Sequence, residues 1–382
     1  MKAKGYFILI ILTICTWKSF AQKRIYVNEY LNIGVGGKGL SMSGAMVANT
    51  DDVYSPYWNP AGIVQNDAHY QVGLMHAEYF SGIFKYDYAA VIMPFDDNKR
   101  ALGISFIRFA TDNIPYTLEY LRPDGSFDES QLRSITAGDY AVTLSYAQDL
   151  GIVKDNENWE FTGGANLKTL YRHIGSMGRA WGIGLDLGII AKYKKWNFGL
   201  SAKDITTTNT AWSFNLSERE KEIFRETGNE IPIKSFETMY PRLNFGLGRH
   251  WLNSEKDFNI YTELGFDITT DGRRQTIVQS NVLSLDPRFG LEANYKNIIY
   301  LRAGVQNFQR VLDNTDNENI KKYTVFQPSV GVGLNLKGLH IDYAFTSLQM
   351  QENPLLSHIV SLKLDINIQK RIDRKNEENK SE

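Results

Sequence analysis

The chain has 382 residues, with 42 basic and 43 acidic side chains and a formal net charge of −1. That balance excludes the strongly basic face needed to hold nucleic acid, and no nucleic-acid partner is expected. A single cysteine, Cys15, lies in a segment expected to be removed, so disulfides, thiolate metal sites and a cysteine nucleophile are all excluded from the mature chain.

Residues 1–21 read as a secretory signal peptide. Lys2 and Lys4 precede a mostly apolar run from Tyr6 to Trp17, and Ser19-Phe20-Ala21 offers a small-x-small cleavage site. The run is too short for a membrane-spanning helix, and no later segment approaches 18 uninterrupted apolar residues. A secreted, cysteine-free chain with 13% aromatic residues and 21 tyrosines has the composition of an outer-membrane barrel.

Residues 22–67 are rich in glycine and show little alternation. From 68 to 368 the chain falls into segments with a two-residue period. In 180–193, Trp181, Ile183, Leu185, Leu187 and Ile189 share one face, and Gly182, Gly184, Asp186 and Gly188 share the other. The first face suits lipid and the second a crowded polar interior. The same reading gives fourteen strands: 68–77, 86–95, 100–109, 139–149, 158–171, 180–193, 195–204, 240–250, 257–269, 286–295, 298–307, 324–336, 338–347 and 357–368. An even count of tilted strands about 9–11 residues long predicts an all-β fold, a fourteen-stranded antiparallel transmembrane barrel with an N-terminal plug. Short connections at 96–99, 150–157, 194, 251–256, 296–297 and 337 alternate with mostly longer ones, which places both termini in the periplasm. The longer connections include 78–85, 110–138, 172–179 and 205–239. Within 205–239, Ser217 and Glu220 form a capping box that predicts a short charged helix. The charged stretch 369–382 reads as a disordered periplasmic tail.

Gly34, Gly36 and Gly39 match the G-x-G-x-x-G pattern of a dinucleotide loop. No strand precedes them and no βαβ unit follows, so no nucleotide or other cofactor is expected. Gly34, Gly36, Gly37, Gly39 and Gly44 instead suit a segment that folds tightly inside a confined space. Asn59-Pro60-Ala61-Gly62 predicts a sharp turn: Pro60 pushes Asn59 toward extended geometry, and the Asn59 side chain can close the turn on the backbone. Its expected role is to anchor the plug to the wall rather than to move as a gate.

Residues Ser41–Asp52 with Tyr57–Gly62, and the stretch Ala101–Pro115, resemble the FadL-like outer-membrane superfamily, and within it the PorV/PorQ branch associated with type IX secretion. The resemblance implies a plugged fourteen-stranded barrel without enzymatic activity. It also implies protein partners, either translocon components or secreted cargo, bound through the outer loops. The aromatic residues Tyr116, Tyr120, Trp212, Phe214 and Phe224 are the expected contact points. The alternative is a transporter of hydrophobic small molecules, or a barrel subunit of another outer-membrane complex.

The chain carries no G-x-S-x-G elbow and no histidine pair at ligand spacing, so no catalytic or metal site is expected. The polar residues on inward faces are Lys168, Asp186, Lys203, Glu263, Asp267, Arg302, Asp342, Lys363 and Asp365. Their mixed signs predict an interlocked lumen network rather than a charge-selective ring.

Overall fold

The computed structural model describes residues 27–367, except 119, 121–125, 127, 152–158, 233, 253–256, 273, 313–321 and 348–355. The expected signal peptide and the expected tail lie outside the described residues.

The strands are β1 (Tyr70–Tyr79), β2 (Phe84–Phe95), β3 (Arg100–Tyr116), β4 (Arg133–Asp149), β5 (Trp159–Ile174), β6 (Gly178–Tyr193), β7 (Trp196–Lys203, continuing as Thr208–Phe214), β8 (Ser235–Met239, continuing as Arg242–His250), β9 (Phe258–Thr269), β10 (Ser284–Tyr295), β11 (Ile299–Leu312), β12 (Lys322–Leu336), β13 (Leu339–Ser347) and β14 (Leu356–Ile366). Both halves of β7 pair with β6, and both halves of β8 pair with β7, so each makes one stave of the wall. β7 breaks where Asp204 and Thr207 take positive φ, and β8 breaks at Tyr240–Pro241, where proline has no N–H to donate. A further two-residue rung, Val278–Gln279, belongs to the β9–β10 connection. β14 returns to β1 in register from Tyr70↔Ile366 to Glu78↔His358. The result is a closed, fourteen-stranded antiparallel barrel, which is what lipid demands of a spanning sheet.

The outward face carries the apolar band. Trp181, Ile183 and Leu187 are 61%, 58% and 48% exposed. Aromatic residues mark both borders: Tyr171 packs on Trp181 at one end of β6, and Trp159 stacks on Tyr193 at the other. The two belts are about a dozen residues apart, which at ~3.4 Å per residue and a ~40° tilt spans about 30 Å of hydrocarbon.

Several strands run further toward the long-loop end than the sequence alone predicts. The connection expected at 110–138 is only 117–132, and the one expected at 205–239 is only 215–234. Beyond the lipid both faces of a strand are wet, so the apolar alternation fades while the backbone ladder continues. The connections 80–83 and 175–177 are also tight turns rather than extended loops.

Candidate functional site: a packed lumen and a window in the wall

The described N-terminal residues fold inside the ring. They form two short helical turns, α1 (Gly37–Ser41) and α2 (Ser55–Trp58), and two 3-10 turns at Glu29–Asn32 and Pro60–Gln65. Most of their side chains are buried, among them Val35, Met42, Trp58 and Ile63. Gly34, Gly36 and Gly44 adopt positive φ, a conformation that strains residues with a Cβ. Gly37 and Gly39 serve close approach: a Cβ at Gly39 would lie 2.6 Å from the Trp58 ring, and one at Gly37 would lie 2.8 Å from Asp342. Trp58 in turn donates its indole N–H to the Val35 carbonyl at 3.0 Å. Among the described residues no βαβ unit surrounds these glycines.

Asn59 joins the segment to the wall. Its amide donates to the Val47 carbonyl at 2.9 Å and to the Ile189 carbonyl of β6 at 3.1 Å. Its Oδ1 accepts the Ala61 N–H at 3.2 Å and caps the turn that starts at Pro60. Pro60, Ala61 and Gly62 are all buried. Room for this turn comes from β5 and β6, where a Cβ at Gly164 would sit 2.5 Å from the Ala61 nitrogen and one at Gly188 would sit 2.0 Å from Asn59 Oδ1.

The inward polar residues fall into separate clusters. Lys168 bridges Asp186 at 2.8 Å and Asp204 at 2.6 Å. Arg302 bridges Glu292 and Asp342, both at 2.6 Å. Asp267 meets Arg242 at 3.0 Å and Arg288 at 2.6 Å. Lys363 reaches Asp52 of the N-terminal segment at 3.4 Å, and Asp365 reaches His340 at 3.2 Å and the Gln71 amide. Glu263 accepts from the Tyr261 hydroxyl at 2.6 Å and from the Ala48 N–H at 3.0 Å. Lys203 lies 4.1 Å over the Tyr57 ring rather than in an ion pair with an inward carboxylate. Sequence reasoning missed Asp204, Arg242, Asp286, Arg288 and Glu292. The last three were legible, because 286, 288, 290 and 292 share one strand face. Asp204 was not, because it sits in the break of β7.

The expected loop aromatics are placed differently. Tyr116 is buried at the end of β3, where its hydroxyl donates to Glu220 and the Arg133 guanidinium covers its ring. Trp212 and Phe214 belong to β7, not to a loop, and Trp212 is buried under Arg172. Tyr120 and Phe224 do lie in the long connections, both half-buried. Phe224 is on the expected helix, α3 (Glu218–Glu226), whose capping box of Ser217 and Glu220 is formed. Burial pushes the Glu220 carboxyl up, but hydrogen bonds from Tyr116 and from the Ser217 backbone outweigh it and hold the group below the usual carboxylate range.

Besides the breaks in β7 and β8 and a register shift of β3 on β4 between Thr111 and Ile114, the wall is irregular between β10 and β11. Their ladder ends at Phe289↔Val305, although both strands continue. Above it, Asp286, Pro287 and Arg288 have no partner on β11, whose register with β12 shifts between Gln306 and Gln309. Asn307 takes positive φ there. The opening is bounded at its top by the rung at Val278–Gln279 and is bridged by the Asp286 carboxylate, which faces the backbone N–H groups of Asn307 and Phe308. Phe308 packs on Phe326 at 6.1 Å beside it, toward the long-loop end of the wall. Behind it lies a cavity of about 440 Å³ lined by Arg242, Asp267, Arg274, Asp286, Arg288, Asn307 and Gln309, among others.

Comparison with known protein families finds no match, and comparison with curated proteins finds none. Among solved structures, the chain is similar to the CymD monoaromatic hydrocarbon channel at 14% identity and a TM-score of 0.51, over 88% of this chain and 98% of that one. The two share a fold. The Ralstonia pickettii toluene transporter TbuX aligns at 12% identity over 87% of this chain and 99% of its own, with a TM-score of 0.48. A Pseudomonas aeruginosa FadL homologue aligns at 10% identity over 87% and 98%, with a TM-score of 0.49.

Proposed function

We propose that this barrel passes a small hydrophobic or amphiphilic molecule between its long-loop end and the surrounding outer-membrane bilayer, through the window between β10 and β11. The observation that carries the reading is the window itself. Unpaired backbone at membrane depth is costly unless it lines a wet cavity, and here it opens onto one of about 440 Å³. The hydrocarbon channel that shares the fold supports the same class of cargo. Polar lining by Arg288, Asp286 and Asn307 favours a molecule with a polar or acidic head. Residues 22–67 act as the plug, anchored by Asn59–Gly62, and direct traffic sideways rather than through the ring. Both termini then lie on the periplasmic side.

The test is a crosslink across the window, Asp286→Cys with Asn307→Cys, in cells taking up labelled toluene or a medium-chain fatty acid. Uptake should fall on oxidation and return with reductant. Identical uptake in both states, with the crosslink verified by mass, rules the route out.

A second reading, a PorV/PorQ-like role in type IX export through translocon or cargo proteins, rests on the packing of the lumen. The cavity beside Tyr57, Lys168 and Lys203 holds only about 30 Å³, against the ~150 Å³ of a cavity known to accept benzene. A closed ring of this kind suits a scaffold, with Phe214 and Phe224 at the long-loop end as contacts for a protein partner. Pull-down from native membranes separates the two: stoichiometric secretion components favour the scaffold, and stoichiometric lipid or fatty acid favours the transporter.

A further inference from the structure

A further cavity lies on the outside of the barrel. A groove of about 810 Å³ runs along the outer face at the long-loop ends of β4, β5, β6 and β7. Tyr140 and Tyr171 form one side of it, Ser213 and Asn215 the other, with His173 and Arg179 between. It continues directly from the lipid-facing band, since Tyr171 packs on Trp181 at 4.7 Å. The groove is shaped by Gly138, where a Cβ would lie 2.8 Å from the Tyr140 ring and 3.0 Å from His173 Nε2. That space lets the two rings lie nearly parallel, 5.9 Å apart.

Charge distinguishes this groove from the adjoining stretch of the same rim. On β1 to β3 the outward cations are matched: His76 and Arg108 both reach Asp87, at 2.7 and 2.9 Å, and Lys85 reaches Asp112 at 3.1 Å. Arg179 and His173 have no carboxylate partner among the described residues. Two cationic or hydrogen-bonding side chains, two hydroxyl- or amide-bearing neighbours and an aromatic wall therefore face outward, just beyond the apolar band. An anionic headgroup at that depth would give the arginine its missing partner, while its acyl chains lie against Trp181 and Ile183.

We infer that this groove binds the anionic phosphomonoester headgroup of a lipid in the leaflet bordering the long-loop end, with Arg179 and His173 as the phosphate contacts. The site is separate from the window and does not depend on the transport reading.

The test is native mass spectrometry of the full-length protein in detergent, titrated with a bis-phosphorylated lipid A and, in parallel, with phosphatidylcholine. Wild type should retain lipid A and not phosphatidylcholine. Arg179→Gln with His173→Gln should weaken retention at least tenfold, whereas Lys194→Gln, at the opposite end of the barrel, should leave it unchanged. Heat-modifiable migration on gels verifies that each variant has assembled. Equal retention by wild type and the double variant overturns the inference, as does equal loss in Lys194→Gln. Displacement of lipid A by millimolar inorganic phosphate would show a free-anion site and overturn the lipid assignment.

Discussion

Asn59→Ala separates anchor from gate. Asn59 is fully buried, and its side chain holds the Ala61 N–H, the Val47 carbonyl and the Ile189 carbonyl of the wall, with a longer contact of 3.4 Å to the Leu200 carbonyl. Losing the cap costs about 1 kcal/mol. Each amide bond contributes about 1 kcal/mol, and the carbonyls left behind are buried. The total, about 3 kcal/mol, should fall on docking of the N-terminal segment and not on the barrel ladder. Hydrogen exchange reads this directly, because local opening has its own free energy. Amides of residues 47–64 should exchange roughly thirty- to a thousand-fold faster, while those of β5 and β6 keep wild-type protection. In planar bilayers the same variant should show brief openings that wild type lacks. Unchanged exchange at 47–64 would refute the anchor, and loss of protection throughout the barrel would refute the separation of plug from wall.

A methyl at Gly188 would meet Asn59 Oδ1 at 2.0 Å, so Gly188→Ala should reproduce the exchange pattern of Asn59→Ala. Lys168→Met leaves Asp186 and Asp204 without their shared cation and should cost about 3–5 kcal/mol, seen as a lowered transition in heat-modifiable gel migration. Because the folded Glu220 carboxyl is held below its ordinary 4.5, its contribution to the α3 loop is complete above that pH and is lost as pH falls below it. Limited proteolysis of 215–234 should accelerate at acid pH, and Tyr116→Phe should weaken the loop's protection at neutral pH. Arg288→Met should reduce uptake of a fatty acid more than uptake of toluene if the arginine behind the window engages the acidic head.

The two-residue alternation, as in Trp181 to Ile189 against Gly182 to Gly188, determined the barrel by itself. Lipid on one side and a packed polar interior on the other leave few other solutions, and an open edge in hydrocarbon is not one of them. The number of staves was legible for the same reason, and so was the capping box of α3, whose signal is local. Where strands leave the lipid the pattern fades, and the upper parts of β3, β4, β7 and β8 could only be placed by pairing. Tyr116 and Trp212 were misread on that account, as loop residues when they are buried on strands. The face shared by Asp286, Arg288 and Glu292 was present in the sequence, but nothing local says that β11 lets go of β10 beside them. The window, the fit of Asn59 against Gly188 and the unmatched Arg179 all depend on which strands become neighbours. Those are contacts between residues far apart in the chain, and only the closed ring brings them together.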